Sequence, residues 1–239
     1  MKRLTKQESQ RMRCRHRGYA WLLMIEALLI ATLPLSLFFP TLLSIELVVL
    51  ALVVIRGVAP YSLLRGADRK LLYCLGSSVV FVEVAWNLSF LVEEIPLVRW
   101  SAPVRLILWL FFIGLTEFRL VRALSREPFV TVRVVMGAVA GYLLIGVGGG
   151  ILLNSIWVLH PLAFDVETMQ SALDHSNPSL YFAPALMASS FAMLTTVGTN
   201  VVTTDLVGRV SEVVISLVGQ LYIALLIALI LGRYHRRVS

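Results

Sequence analysis

Residues 181–202 read YFAPALMASSFAMLTTVGTNVV, and this stretch decides the fold. It is apolar and long enough to cross a membrane, but Pro184 and the run TTVGTN at 195–200 interrupt it. The interruptions predict a re-entrant segment: a short helix over 184–194, with its proline in the first turn, and then extended backbone over 195–201. Backbone of that kind is tolerated at membrane depth only where it is buried in protein or lines water.

The composition indicates that the whole chain is an integral membrane protein. Of its 239 residues, 58% are hydrophobic and 15% are charged, and the mean hydropathy is +0.84. Soluble domains have about 45–50% apolar and about 25% charged residues, so a soluble or disordered chain is excluded. The net charge of +7 predicts no nucleic-acid partner, because cytoplasmic loops of membrane proteins are themselves rich in Lys and Arg. Cys14 and Cys74 are too few for a disulfide framework.

Hydropathy predicts an all-α membrane protein with six spans. A helix of about 20 apolar residues crosses a hydrocarbon core of about 30 Å, and most of the apolar runs have about this length. The spans are predicted at 19–40, 41–55, 71–92, 97–118, 134–158 and 206–231. The first of them is expected to be an uncleaved helix, because no small-residue cleavage site follows it, and residues 1–18 are expected to form a basic cytoplasmic tail.

The distribution of basic residues predicts the orientation of these spans. With six spans, 18 of the 21 Lys and Arg residues lie on the side of both termini, and only Arg99, Arg105 and Arg209 lie on the other. Such an excess is typical of the cytoplasmic side, so we expect both termini in the cytoplasm and the protein in the inner or plasma membrane. The basic tail could attract anionic lipid, although topology alone accounts for its charge.

The order helix, re-entrant helix, filter-like strand, helix resembles a known architecture. Four runs carry the resemblance: GAVAGYLLIGV at 137–147, LTTVG at 194–198, GR at 208–209 and SLVGQLYIALLIALILGR at 216–233. Together they resemble the pore domain of the tetrameric potassium-channel family, and of its bacterial members in particular. The resemblance covers about 40% of the chain.

The resemblance implies a homotetrameric channel for monovalent cations. Each chain would bind three further copies of itself, and no cofactor is expected beyond permeant K⁺ or Na⁺ ions. A four-helix domain over 19–126 would stand in the position of a voltage sensor, without a clear array of gating charges. The implied pore domain covers 131–235, with an outer helix at 131–158, a pore helix at 184–194, a filter at 195–201 and an inner helix at 206–233.

Physical chemistry accounts for the residues of the predicted filter. A potassium filter replaces the ion's hydration shell with rings of backbone carbonyls. To aim successive carbonyls at one axis, residues must alternate between right- and left-handed backbone, and glycine adopts the left-handed form without penalty. Where the family has Gly-Tyr-Gly-Asp, residues 198–201 read Gly-Thr-Asn-Val, so we expect altered K⁺/Na⁺ selectivity. The filter residues are Thr195, Thr196, Val197, Gly198, Thr199 and Asn200.

A glycine near the middle of the predicted inner helix is a second candidate. Gly219 is either a gating hinge, as the family's glycine is, or a site where helices pack closely, since glycine is common in membrane helices. Its neighbour Gln220 is expected either to bond to an adjacent helix or to face the cavity. The sequence leaves both pairs of alternatives open.

Carboxylates within the membrane are functional hypotheses by default. The first three predicted spans each contain one: Glu26, Glu46 and Glu83. We expect them either to pair with Arg105 or Arg119 and stabilise the helix bundle, or to take part in a response to protons or ions.

Other functional classes are less well supported by the sequence. An enzyme is not expected, because His160, Asp165, Asp174 and His175 have no metal-ligand spacing and no GxSxG nucleophile motif is present. A secondary transporter is disfavoured because no inverted repeat is visible. The main alternative is a non-conducting, channel-derived membrane protein with a structural or regulatory role.

Overall fold

The described part of the fold consists almost entirely of helices. The computed structural model describes residues 6–39, 41–58, 66–91, 95–125, 127, 131–165, 178–198, 201 and 203–238, and within these ranges it has no strand. The helices are α1 (Lys6–Ser36), α2 (Thr41–Val53), α3 (Gly66–Leu91), α4 (Ile95–Ser125), α5 (Val132–Leu159), α6 (Pro178–Leu194) and α7 (Leu206–Val238). A π-helical turn (Val54–Val58) continues α2, and a 3₁₀ turn (Pro161–Ala163) follows α5.

The helices confirm that the chain is all-α and has membrane-protein character. In the part of the chain just defined, four helical segments are long and apolar enough to cross a membrane: His16–Ser36, Lys70–Leu88, Val132–Leu159 and Leu206–Ala228. Helix α2 has only 13 residues, which is short of a full span. The count of six spans therefore stays a prediction.

The first helix covers most of the basic segment over 1–18 as well as the first predicted span, and whether that segment lies in the cytoplasm stays a prediction. Helix α1 begins at Lys6 and continues through the basic residues to Ser36. Residues 6–17 read KQESQRMRCRHR, with neither glycine nor proline and with many residues of high helix propensity. The helix therefore extends into the basic segment.

The short helix α6 begins at Pro178, not at Pro184 as predicted. Proline suits the first helical position because the N–H that it lacks would have no partner inside the helix. Pro184 lies in the second turn, where it removes one hydrogen bond to the carbonyl of Leu180. The helix contains it and ends at Leu194, which is the predicted C-terminal boundary.

Helix α5 is the centre of the packing and contacts α1, α4, α6 and α7. In its most apolar 18-residue window 67% of the residues are buried, against 22% in the corresponding window of α7. Glycines allow α6 to approach it closely: a Cβ at Gly146 would lie 2.4 Å from the Phe191 ring, and one at Gly150 would lie 2.3 Å from Sδ of Met187. Small residues at helix interfaces let backbones come together in this way. The glycine-rich part of α5 therefore sets the position of α6.

Helix α7 buries only a narrow stripe of its surface. The buried residues repeat at helical spacing and are Gly208, Ser211, Ile215, Gly219 and Tyr222. Most of the remaining surface as far as residue 228 is exposed and apolar. An exposed apolar face of this extent requires lipid or another protein surface to cover it.

Substitution of Gly150 by valine is expected to destabilise the protein by about 2–3 kcal/mol, because overpacking displaces neighbouring atoms. A Cβ at Gly150 would lie 3.0 Å from the backbone Cα of Met187, so α6 itself has to move. Gly114→Val on α4 is the matched control, since a Cβ there meets no atom within 4 Å. Thermal unfolding of the detergent-solubilised variants measures the difference, and equal losses would contradict the packing argument.

Candidate functional site

The C-terminus of α6 is closed by a pair of backbone hydrogen bonds that directs the chain into the predicted filter. The amide of Val197 donates to the carbonyl of Ala192 (3.0 Å), and the amide of Thr196 donates to that of Met193 (3.1 Å). This is the Schellman arrangement, in which the residue after the cap adopts the left-handed conformation. That residue is Thr196, with a φ of 58°.

Side chains from both flanking helices hold the same helix end. The Tyr142 hydroxyl, on α5, donates to the carbonyl of Leu194 over 2.7 Å. The Ser216 hydroxyl, on α7, donates to the carbonyl of Met193 over 3.1 Å. The last carbonyls of a helix have no partner within the helix. Tyr142 supplies one for Leu194, Ser216 adds a second bond to the Met193 carbonyl, and together they fix α6 to its neighbours.

The residues after α6 form an exposed, non-helical segment. Thr195, Thr196, Val197 and Gly198 are all exposed, Val197 by 82%. Thr196 and Gly198 have positive φ values of 58° and 92°, and no other residue in the described ranges has one. Two of these four residues therefore have a positive φ, the first at the helix cap and the second two residues later; the filter itself stays a prediction. Residues 199 and 200, the predicted filter positions Thr199 and Asn200, lie outside the described residues.

Thr196 is an unusual residue for its conformation. A left-handed backbone costs a residue with a Cβ roughly 1–2 kcal/mol, and glycine is the common choice at this cap position. The cost is greater still for a β-branched side chain, because its branches crowd the backbone. Strain of this kind is concentrated at functional sites. The hydroxyl and methyl of Thr196 are therefore candidates for a role that glycine would not supply.

The chain is anchored again after the segment. The amide and hydroxyl of Thr204 donate to the carbonyls of Ala163 and Leu162, each over 2.9 Å. Val201 is buried in an apolar cluster that includes Trp157. The segment is thus held by α6 on one side and by the residues that follow α5 on the other.

Gly219 packs against the residue that precedes the segment. A Cβ at Gly219 would lie 2.4 Å from Cδ1 of Leu194 and 3.6 Å from its carbonyl oxygen. This contact favours the close-packing interpretation of Gly219, while a hinge motion stays a hypothesis. Gln220 is exposed on this chain.

The carboxylate of Glu83 is paired inside the helix bundle. Arg105 donates to it twice, from Nε to Oε2 (2.9 Å) and from Nη2 to Oε1 (3.0 Å). The indole of Trp109 donates to the same Oε2 (2.9 Å), and the guanidinium lies 4.8 Å from the centre of the Trp86 ring. Arg105 is one of the two partners that the sequence predicts, and Arg119, the other, is also buried.

The other two predicted carboxylates lie in different surroundings. Glu46 accepts a hydrogen bond from the Thr32 hydroxyl. Glu26 is fully buried on α1, and neither its oxygens nor those of Glu117 on α4 accept a hydrogen bond from the described residues. The three predicted carboxylates therefore do not form one site.

The sequence analysis missed the residues that support the segment. Tyr142, Ser216 and Ser190, which donates to the carbonyl of Gly146 over 2.7 Å, all carry a hydroxyl within an apolar helix. Glu117, near the C-terminal end of the fourth predicted span, was also missed. A search for isolated polar groups in apolar runs would find all four, but it would not reveal which carbonyl each hydroxyl reaches.

The loop residues considered for an enzyme do not gather into a site in the part that the structure describes. His160 is exposed, and Asp174 and His175 lie outside the described residues. No group of three His, Cys, Asp or Glu residues suited to a metal ion occurs among those that are described.

The chain matches no protein-family model, no curated protein and no solved structure. Its function is therefore argued from its own geometry, in which the exposed segment after α6 and the bonds that hold it are the most distinctive features.

Substitution of Tyr142 by phenylalanine is expected to lower the free energy of unfolding by about 1–2 kcal/mol, because the Leu194 carbonyl loses its donor in a partly buried place. Tyr73→Phe is the matched control, since that side chain is 40% exposed on α3. Thermal unfolding of the two purified variants checks the prediction. An effect of the same size in both would show that the bond to Leu194 does not brace the helix end.

Proposed function

We propose that this chain is the pore-forming subunit of a homotetrameric channel for monovalent cations, with potassium-channel-like architecture and altered K⁺/Na⁺ selectivity. In this proposal the protein lies in the inner or plasma membrane, crosses it six times and has both termini in the cytoplasm. Helix α6 is the re-entrant pore helix. The observation that carries it is the segment 195–198, which is exposed, anchored on both sides, and left-handed at Thr196 and Gly198.

A cation pathway fits this backbone for a physical reason. Non-helical backbone at membrane depth must be buried in protein or line water. Carbonyl oxygens lining water offer a dehydrated cation the negative dipoles that replace its hydration shell. One chain supplies one segment, so a ring of carbonyls needs several copies of the chain around an axis. Four copies is the number implied by the resemblance to potassium channels.

The exposed face of α7 supports assembly. In the single chain its apolar surface has no partner among the described helices beyond the narrow stripe that contacts α5, α6 and the 3₁₀ turn. Neighbouring subunits and lipid would cover this surface, and the segment 195–198 would come together at the axis. The same exposure places Gln220 on a surface that another copy or the pore could meet.

The helices before the pore region are proposed to act as a scaffold. A voltage sensor needs several arginines at every third position within the membrane. Arg105 is instead held in a two-point ion pair with Glu83 and stacked on Trp86, in a fully buried place. Such an arrangement favours a fixed structural contact over a charge that moves with voltage.

Current measurements on the purified protein in planar bilayers test the proposal. One side has a high K⁺ concentration, the other has a low K⁺ concentration together with Na⁺, and the total chloride differs, so that K⁺, Na⁺ and Cl⁻ have three different equilibrium potentials. We expect cation-selective current that reverses between the K⁺ equilibrium potential and the value for a pore that does not distinguish K⁺ from Na⁺. Anion selectivity would contradict the proposed pathway, and reversal at the K⁺ equilibrium potential would contradict altered selectivity alone. A folded tetramer without current would favour the non-conducting alternative.

A further inference from the structure

A cleft at one end of the helix bundle combines positive charge with apolar surface. It has a volume of about 370 Å³ and lies between α1 and the end of α2 with its π-helical turn. Arg17 and Arg56 line it together with Trp21, Val49 and Leu52. The cleft is remote from the segment after α6, so its occupant is a question separate from conduction.

Two glycines bring the backbones on either side of the cleft into contact. A Cβ at Gly18 would lie 2.4 Å from the carbonyl oxygen of Gly57, so no larger residue fits without a shift of the backbone. Gly57 belongs to the π-helical turn, as does Arg56. Single π-helical turns are rare and occur frequently at functional sites. Because Arg17 precedes Gly18 and Arg56 precedes Gly57, the close contact of the two glycines brings both arginines to the same cleft.

The charges of the two arginines are not neutralised by the rest of the described chain. Both side chains are exposed, and no carboxylate whose side chain the structure describes, a set that leaves out Glu8 and Asp68, lies within ion-pair distance of either guanidinium. The nearby Glu127 lies instead 3.6 Å from His16. Guanidinium groups recognise phosphate oxygens through paired, charge-assisted hydrogen bonds. The charged half of the cleft is therefore suited to a phosphate.

The other half of the cleft is suited to an acyl chain. Arg17 lies at the start of the apolar segment His16–Ser36, at the level of a membrane surface, and Trp21 follows one turn deeper. Trp21 is 52% exposed, and Val49 and Leu52 are also exposed on the facing helix. Tryptophan is enriched at membrane interfaces, and basic pockets between membrane helices on the cytoplasmic side bind anionic headgroups.

We propose that this cleft is a binding site for an anionic phospholipid, with the headgroup phosphate on Arg17 and Arg56 and an acyl chain along Trp21 and Leu52. A water-soluble phosphate would leave the apolar half of the cleft uncovered, whereas a zwitterionic lipid would bring its own positively charged ammonium group beside two guanidinium groups. An anionic phospholipid satisfies both halves. The site requires a membrane-embedded chain, and it does not depend on whether the pore conducts.

Native mass spectrometry of the full-length protein in detergent tests the site directly. Phosphatidylglycerol is titrated against phosphatidylcholine with the same acyl chains and against inorganic phosphate. We expect phosphatidylglycerol to bind, and the double variant Arg17→Gln/Arg56→Gln to bind it at least about tenfold more weakly, because each basic residue near an anionic headgroup contributes a factor of about five. The matched control is Arg122→Gln/Arg133→Gln, which removes the same charge from α4 and α5.

Several outcomes would overturn the site. They are equal weakening in the control pair, equal binding of phosphatidylcholine, or phosphate binding that matches the binding of phosphatidylglycerol. Two further variants keep the test decisive if the double variant fails to fold. Arg56→Lys keeps the charge but loses the paired donors, so we expect intermediate binding, and Trp21→Ser should weaken phosphatidylglycerol without changing the response to phosphate. Unchanged phosphatidylglycerol binding in both would contradict the proposed contacts.

Discussion

Substitution of Gly198 by valine is expected to abolish cation current while leaving the subunits folded and assembled. With a φ of 92°, Gly198 has a backbone conformation that residues with a side chain rarely adopt. A Cβ at this position meets no atom within 4 Å of the same chain, so the effect is conformational and not a clash within the subunit. Valine would turn the backbone away from this conformation, and the carbonyls around it would no longer face the proposed axis.

The current through the variant is measured in planar bilayers beside the unsubstituted protein, and the mass of the complex is measured in parallel. Gly114→Val serves again as the control, because it is the same change in a helix at a place with open space. If Gly198→Val loses both its current and its assembly while Gly114→Val keeps both, Gly198 has a structural role. Undiminished current in a correctly assembled variant would contradict the proposed filter.

Removal of one partner of the Glu83–Arg105 pair is expected to cause the largest loss of stability. Arg105→Leu would leave the carboxylate of Glu83 buried, with Trp109 as its remaining hydrogen-bond donor. Breaking a buried ion pair in this way typically costs about 3–5 kcal/mol, because the remaining charge is left uncompensated. Arg122→Leu on the same helix is the matched control, with an expected change of less than about 1 kcal/mol.

The double variant Glu83→Leu/Arg105→Leu distinguishes the stabilisation by the ion pair from the cost of burying one unpaired charge. Replacing both partners by apolar side chains of similar size is often neutral. We therefore expect the double variant to recover most of the stability that Arg105→Leu loses, in thermal unfolding of the detergent-solubilised protein. The single variant Glu83→Leu completes the comparison. If the stability losses of Glu83→Leu and Arg105→Leu simply add up in the double variant, the two residues do not act as a pair.

The sequence predicts the end of a helix correctly where polar or charged residues mark that end locally. Leu194 ends α6 and Leu206 begins α7, close to polar turns and charged residues that are visible in the sequence. The start of α6 was not predictable from Pro184 alone, since proline is tolerated near the beginning of a helix as well as at its first position. Positive charge indicates where the apolar segment of α1 begins but not where the helix begins, because residues of high helix propensity continue through the basic segment.

The candidate segment was predictable from the sequence, but its support was not. Glycine at position 198 and the apolar helix before it are local features. The hydrogen bond from Tyr142 to the Leu194 carbonyl joins residues 52 positions apart, and its geometry depends on how closely α5 and α6 pack. The same holds for the ion pair of Glu83. Charge alone predicts two candidate partners, Arg105 and Arg119, and only the packing of α3 against α4 shows that the partner is Arg105.

One turn of α5 contacts both the end of the proposed pore helix and the middle of the proposed inner helix. Its Tyr142 hydroxyl holds the helix end that leads into the filter segment, and its Ala138 carbonyl accepts a hydrogen bond from Tyr222 of α7 (3.1 Å). Gly141 lies between them with no room for a side chain beside the Tyr222 hydroxyl, and the two tyrosine rings are 6.4 Å apart. Rotation of α7 at Tyr222 would therefore be transmitted through adjacent residues of a rigid helix to Leu194. In a channel built this way, opening of the inner helices and the ion affinity of the filter are thermodynamically coupled, so permeant ions themselves would shift the equilibrium between open and closed states.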